Sequence, residues 1–411
     1  MFLLVAFGFG LIAKYCKLPP LIGFLIAGFF LNALGYSNNE TLQAIANMGI
    51  TIMLFTIGLK LNIKDLLKRE ILLGSIAHSC VWIALCSAAV FALGLFVATS
   101  WFNLTWYTAV LIGFAFSFSS TVCVVKILDE AGEIKTRHGK LAIGILVMQD
   151  IFAVLFLVVA TGKIPSPWAA LLVLLIPARP LLQRLLSGSG HGEMLPLTGF
   201  IFALGAYHLF ELVGIKGDLG ALIAGVLLAS QAKSTELSKS LMAFKDLFLI
   251  GFFLTIGLTA LPSIELVSIA LILCLLLPLK FLLFFGLFIS LRLRARTAYL
   301  TSLMMSNYSE FGLIVGAVAL SGGMLEMEWL VILALATAFS FIVTSVLYKH
   351  SHHYYCKHKN HIKQYEHPIP LHQDIYPSLG DAKVLVIGMG RVGKGAFKAI
   401  HAQLGQQVCG I

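Results

Sequence analysis

The chain has 411 residues, 59% of them apolar and only 12% charged, with a mean hydropathy of +0.94. No soluble domain of this length needs so much apolar surface, and so few charges could not keep it dissolved, which excludes a soluble enzyme or binding module. The net charge of +10 invites a nucleic-acid reading that its distribution along the chain does not support.

A transmembrane helix takes roughly 20 apolar residues. Thirteen such runs follow in chain order, at residues 1–14, 20–35, 45–60, 71–99, 104–126, 141–161, 167–186, 196–213, 217–231, 245–261, 265–291, 297–322 and 327–348. They are apolar all round, without the polar stripe of a helix in a soluble bundle. The first is short and lacks a basic leader, so it reads as a span clipped at its start and not as a signal peptide. Alternating the loops across a membrane puts eighteen Lys and Arg on one side, Lys14, Lys17, Lys60, Lys64 and Arg294 among them, and only Lys163 and Lys216 on the other. The positive-inside rule makes the rich side cytoplasmic, so the N-terminus faces out and the tail from Lys349 faces in. The positive charge is therefore a topology signal, and no nucleic-acid partner is expected. Seven scattered cysteines without CxxC spacing predict neither a disulfide framework nor a zinc site.

The chain matches itself twice. Leu25-Ile26-Ala27-Gly28 recurs as Leu222-Ile223-Ala224-Gly225, and Leu54-Phe55-Thr56-Ile57-Gly58-Leu59 recurs as Phe253-Leu254-Thr255-Ile256-Gly257-Leu258, at offsets of 197 and 199 residues. The partners lie seven spans apart, an odd number, so they enter the membrane from opposite sides. Inverted repeats are an architecture of secondary transporters, with binding near the bilayer midplane. A receptor or a membrane-bound enzyme has no need of one.

Ionisable residues inside spans are costly and mark function by default. Asp150, after Gln149 and between Ile145-Leu146-Val147-Met148 and Ile151-Phe152-Ala153-Val154, is the clearest. Its own helix offers nothing to neutralise it, so it must be protonated, paired or bound to a cation; a structural helix–helix hydrogen bond is the plainer alternative. Lys280, beside Pro278, is the one basic residue well inside a span and is the expected ionic partner of Asp150, unless it snorkels to an interface. Ser117-Phe118-Ser119-Ser120-Thr121 and Ser306-Asn307-Tyr308-Ser309-Glu310-Phe311-Gly312 lie midway along the fifth and twelfth runs. Such clusters let a helix unwind where it lines a cavity, although Ser and Thr also pack between spans. Glu310 supplies a second carboxylate. Asn47, Pro262 and Gly58 read as packing and kink residues.

Beyond Lys349 the composition turns polar. His350, His352, His353, His358, His361, His367 and His372 match no defined metal spacing, so residues 350–381 read as a basic linker. A β-branched run then enters Gly388-Met389-Gly390-Arg391-Val392-Gly393, a dinucleotide fingerprint in its proper context. The acidic ribose partner expected about 20 positions on falls where the sequence ends, so residues 382–411 read as the start of a truncated nucleotide-binding domain after a 1–349 transmembrane domain.

Taken together, the Leu54–Leu59 segment, Ser119-Ser120-Thr121, Gln149-Asp150, Lys280, Ser309-Glu310-Phe311 and the tail glycines resemble the Kef-type potassium/proton antiporters of the second monovalent cation–proton antiporter family. The resemblance implies an all-α, NhaA-like inverted repeat of about 13 helices with broken crossing helices, embedded in membrane lipid as a homodimer. It implies K⁺ and H⁺ as substrates at Asp150, with Gln149, Ser119, Ser120 and Thr121 nearby, Lys280 as ionic partner, and Asn307, Ser309 and Glu310 on the opposite broken helix. Gly388, Gly390, Arg391, Val392 and Gly393 would hold NAD(H) or AMP, with glutathione a further regulator in some members. Gln149 stands where related sodium/proton exchangers carry a first acidic residue, which favours K⁺ only weakly. A nucleotide-gated K⁺ efflux channel, a Na⁺/H⁺ antiporter and a sensory protein without transport are the competing readings; the inverted repeat disfavours the channel, because it supplies rocking halves and no ring of filter loops.

Overall fold

The computed structural model describes residues 1–16, 20–60, 67–94, 104–160, 166–215, 217–259, 261–369, 371 and 382–410. Lys17, Lys64, Lys163, Lys216, His372 and Asp381, which entered the charge alternation or the linker, lie outside them. Every apolar run is helical over most of its described length. The first four hold α1 (Phe2–Tyr15), α2 (Pro20–Ala33), α3 (Glu40–Lys60) and α4 (Arg69–Gly94).

The next run is interrupted, as its serines suggest. It forms α5 (Trp106–Ser117) and α6 (Thr121–Glu130), with the Thr105 hydroxyl capping α5 by accepting from Thr108 N at 3.2 Å. There follow α7 (Arg137–Ala160), a 3₁₀ stretch Pro167–Leu174, α8 (Leu175–Gly188), α9 (Met194–Leu212), α10 (Gly217–Leu228) and α11 (Ser234–Thr259).

The eleventh run, read as continuous, is split into α12 (Ile264–Cys274) and α13 (Leu277–Ser290). Pro278, without an N–H, sits in the first turn of the second piece, where proline is tolerated. The twelfth run breaks into α14 (Ala295–Met305) and α15 (Glu310–Ser321), bent by 42°. Last in the apolar region comes α16 (Met327–Lys349). Among the described residues six helical stretches, α12 and α13 taken together as one, are long and apolar enough to cross a membrane, and the bent pair makes a seventh. Other runs hold shorter helices or, in the case of the 24-residue α7, a long one outside that set, so the count of thirteen spans remains an expectation.

The internal repeat is also a packing motif. Gly28 of the first half lies against Gly257 of the second, where α2 crosses α11, and Gly58 lies against Gly225, where α3 crosses α10. A Cβ at Gly28 would meet the Leu254 carbonyl and one at Gly257 the Leu25 carbonyl; at Gly58 and Gly225 it would meet the carbonyls of Leu222 and Phe55. Each half therefore gives its Leu-Ile-Ala-Gly helix to the other half's Thr-Ile-Gly helix. Backbones can approach this closely only without a side chain.

Part of the expected linker is helical. Ser351–Lys363 is a helix, α17, with Ser351 and Tyr355 buried one turn apart. Its composition is polar, but that i, i+4 pair gives it one face to pack on α14. Beyond it, Glu366 Oε2 accepts the Ala295 N–H at the start of α14, at 3.2 Å. The tail closes with β1 (Val384–Val386), α18 (Arg391–Leu404) and β2 (Val408–Gly410), the strands parallel with Val384 opposite Val408.

Candidate cation-binding site

The two interrupted helices cross at their breaks. Gly312 of α15 packs against the Ala115 backbone of α5, where a Cβ would strike the carbonyl oxygen. The loops Phe118–Ser120 and Ser306–Ser309 thus lie side by side, and each needs new partners for its freed backbone groups.

Those partners are the residues singled out in the sequence. Gln149 Oε1 accepts the Ser119 N–H at 2.9 Å, and its Nε2 donates to the Ser117 carbonyl at 3.4 Å. Asn307 Oδ1 accepts the Ser120 N–H at 2.7 Å, joining the two breaks directly. The Ser119 hydroxyl donates to the Met305 carbonyl at 2.7 Å and the Ser120 hydroxyl to Glu310 Oε2 at 2.7 Å. Ser309 caps α15 by accepting the Phe311 N–H at 3.1 Å and also donates to Glu310 Oε2 at 3.4 Å. This polar cluster is closed off from solvent, with Ser119, Ser120, Gln149, Asn307, Ser309 and Glu310 all buried.

Asp150 lies at its edge, 2% exposed. Its carboxylate accepts from the Thr121 hydroxyl, 3.1 Å from Oδ2 and 3.4 Å from Oδ1. Thr121 is the first residue of α6 and Glu310 the first of α15. Each carboxylate is therefore associated with the N-terminus of a half-helix, where the helix dipole favours negative charge. Among the described residues no cationic side chain pairs with Asp150.

The expected Asp150–Lys280 ion pair is replaced by another arrangement. Lys280, fully buried, donates to the carbonyls of Phe116 and Phe118 at 3.1 and 3.0 Å and to that of Asn307 at 2.8 Å. These oxygens end α5 and α14, the negative poles of the two interrupted helices. Three ammonium donors meet three orphan carbonyls, which explains why the charge goes to the backbone. The rings of Trp82 and Tyr308 flank the ammonium, with centroids at 5.5 and 5.2 Å. Neither aromatic was singled out by the sequence: Trp82 is one more apolar residue in its run, and Tyr308 stood unremarked inside the broken segment.

A second set of side chains missed by the sequence reading lies where α6 turns into α7. Glu133 Oε2 accepts from the Tyr348 hydroxyl at 2.6 Å and lies 3.1 Å from His138 Nε2; Oε1 is 2.9 Å from His352 Nε2. Burial alone would raise the Glu133 carboxyl, but the hydrogen bonds of Tyr348 and His138 and the charges of His138 and His352 outweigh it and hold the group below its ordinary value. This knot fastens the loop between two site-bearing helices to α16 and α17.

The nucleotide-type glycines belong to the β1–α18–β2 unit. Gly388 has φ +91°, Gly390 precedes α18, and a Cβ at Gly393 would strike the Gly388 carbonyl, so the tight turn needs its glycines. Arg391 and Val392 open α18. Among the described residues no hydrogen bond joins these five to the buried cluster.

Crossed, interrupted helices around buried carboxylates are an architecture of secondary transporters of the membrane. Residues 2–350 match the family model described as sodium/hydrogen exchanger, transmembrane, and the chain belongs to that family. It is 31% identical over 337 residues to the putative K(+) efflux antiporter KefB of Alkalimonas amylolytica, covering 75% of this chain and 49% of the relative. To the glutathione-regulated potassium-efflux system protein KefC of Shigella flexneri serotype 5b (strain 8401) it is 29% identical, covering 82% and 57%. The chain thus spans about half the length of the curated relatives it matches. Among solved structures, the sodium proton antiporter MjNhaP1 from Methanocaldococcus jannaschii at pH 8 superposes with a TM-score of 0.60 at 14% identity, over 84% of this chain and 97% of that one. The expected helical, antiporter-type fold and the Kef-type resemblance are borne out.

Proposed function

We propose that this chain exchanges a monovalent cation, K⁺, for protons by alternating access, the two competing for Asp150. The observation that carries the proposal is a nearly inaccessible carboxylate whose described hydrogen bonds come only from the Thr121 hydroxyl. Such a group must take a proton or a metal cation to remain in an apolar setting. Thr121 supplies one oxygen beside the two of the carboxylate, and a hard monovalent cation suits oxygen ligands of this kind. The names of the KefB and KefC relatives support K⁺ as the ion.

In this reading Lys280 is not exchanged against the cation. It fixes the crossing by neutralising two helix C-termini, while Gln149, Ser119, Ser120, Asn307 and Ser309 hold the breaks in register. Glu310 receives two hydroxyl donors and sets the negative field of the site. By the family resemblance the working unit is a homodimer in the plasma or inner membrane, with the basic loops and the tail cytoplasmic. The glycine turn at Gly388–Gly393 supports a nucleotide as regulator, NAD(H) or AMP, with glutathione as a second.

The test is transport in proteoliposomes. Added K⁺ drives proton movement in the wild type, Na⁺ and Rb⁺ less so, and Asp150→Asn abolishes it. Undiminished exchange by Asp150→Asn would overturn the proposal, and K⁺ flux without proton counterflow would identify a channel.

A further inference from the structure

Thr121 and Asp150 meet at the site but belong to two helices, α6 and α7, joined by one short turn at residues 131–136. The turn leaves little slack. Gly132 holds φ +69°, a conformation that a side chain would strain. The Glu133 N–H donates to the Leu128 carbonyl at 2.7 Å, and the Glu133 carbonyl accepts the Thr136 N–H at 3.0 Å and the Thr136 hydroxyl at 2.6 Å. That hydroxyl in turn accepts the Gly139 N–H at 3.1 Å and caps α7. Gly139 lies so close that a Cβ on it would strike the Glu133 carbonyl. The Glu133 backbone is therefore seated on the first turn of the Asp150 helix.

Its side chain binds elsewhere. Oε2 accepts from the Tyr348 hydroxyl of α16 at 2.6 Å and lies 3.1 Å from His138 Nε2 of α7, while Oε1 lies 2.9 Å from His352 Nε2 of α17. His352 Nδ1 is also 3.5 Å from Arg296 Nη2, in the first turn of α14. One carboxylate thus ties the turn directly to three helices and, through His352, to the half-helix that leads into the second break. Helix α6 has ten residues and is roughly 15 Å long. Tilting a rod of that length by about 4° at the turn moves its far end, Thr121, by roughly 1 Å. At 3.1 Å the Thr121 hydroxyl bonds the carboxylate; at roughly 4 Å it does not. Asp150 takes its described hydrogen bonds only from Thr121, so the tilt of α6 decides whether that carboxylate has an oxygen neighbour.

We propose that Glu133 is a positioning residue for the exchange: held by Tyr348, His138 and His352, it fixes the tilt of α6 and so keeps the Thr121 hydroxyl on the Asp150 carboxylate. The proposal deepens the exchange reading above and rests on it. Glu133 acts on the site through α6 and not by contact with the ion. Loosening it therefore weakens the hold on the cation and leaves the rate of the loaded protein in place.

The test is the apparent KM for K⁺ and the maximal rate of full-length protein in proteoliposomes, with thermal unfolding alongside. Glu133→Gln raises KM by about three- to tenfold, the loss of roughly one hydrogen bond, with the maximal rate per folded protein within about twofold of wild type. Thr121→Val raises KM by a similar factor. The double variant has a KM no higher than Thr121→Val alone, because both substitutions act on one contact. Tyr348→Phe, which removes one of the three partners of the carboxylate, gives a smaller rise in the same direction and carries the test if Glu133→Gln folds poorly. An unchanged KM in the Glu133 and Tyr348 variants beside a lower unfolding temperature overturns the proposal and leaves Glu133 a structural residue. A double variant whose KM rises by the product of the two single factors overturns it as well. Absence of exchange in the wild type, or an unchanged KM in Thr121→Val, overturns instead the reading of the site on which it rests.

Discussion

Lys280 and Asp150 carry opposite charges in one buried region, and yet the ammonium turns to the carbonyls of Phe116, Phe118 and Asn307. Two helix C-termini left facing each other without a cation would repel, and each orphan carbonyl would carry its desolvation cost. Lys280→Met should therefore lower folding stability by about 3 kcal/mol or more, given costs of roughly 1–3 kcal/mol per unsatisfied buried group. The protein that still folds should keep its apparent K⁺ affinity within about twofold, a difference under roughly 0.5 kcal/mol. Thermal unfolding and transport titrations check both; unchanged stability with lost affinity would restore Lys280 to the role of ionic partner. The sequence made Asp150, Glu310 and Lys280 conspicuous because charges are costly in apolar runs. It could not assign Lys280 its partners, since every residue has a carbonyl and only the fold decides which are left orphaned.

At the scale of elements, the site depends on how closely two interrupted helices cross. Gly312→Val places side-chain atoms against the Ala115 carbonyl and should cost about 1–3 kcal/mol through overpacking. It should also remove exchange, because Glu310 and Ser120 would no longer meet. Gly286→Ala, with open space around the added methyl, should leave transport unchanged and hold stability level or raise it by about 0.5–1 kcal/mol. Thermal shift and exchange assays on the two variants check this, and a tolerated Gly312→Val would show that the crossing has slack. The interruptions were legible as Ser and Asn clusters at matching depths in two runs. The break before Leu277 was not, although Pro278 stood in the sequence, because proline at a helix start and proline within a kinked helix look alike along the chain. Helix α17 was hidden by its polar composition; its one buried face rests on Ser351 and Tyr355 alone.

At the scale of the whole molecule, the repeat found in the sequence becomes a pair of reciprocal glycine crossings, α2 on α11 and α3 on α10. Two short self-matches could give the inverted relation but not the exchange of helices between halves, which is a property of packing. The glycine crossings tie α2, α3, α10 and α11 together, while the broken helices carry the carboxylates; the proposed alternating access would move the second set past the first. Cation and proton would then meet at one carboxylate, never together. The most direct measurement is the apparent KM for K⁺ in proteoliposomes as pH is lowered. Competition at Asp150 predicts that KM rises, approaching about tenfold per pH unit once the site is protonated, at an unchanged maximal rate. A KM that stays constant while the maximal rate falls would contradict a shared site.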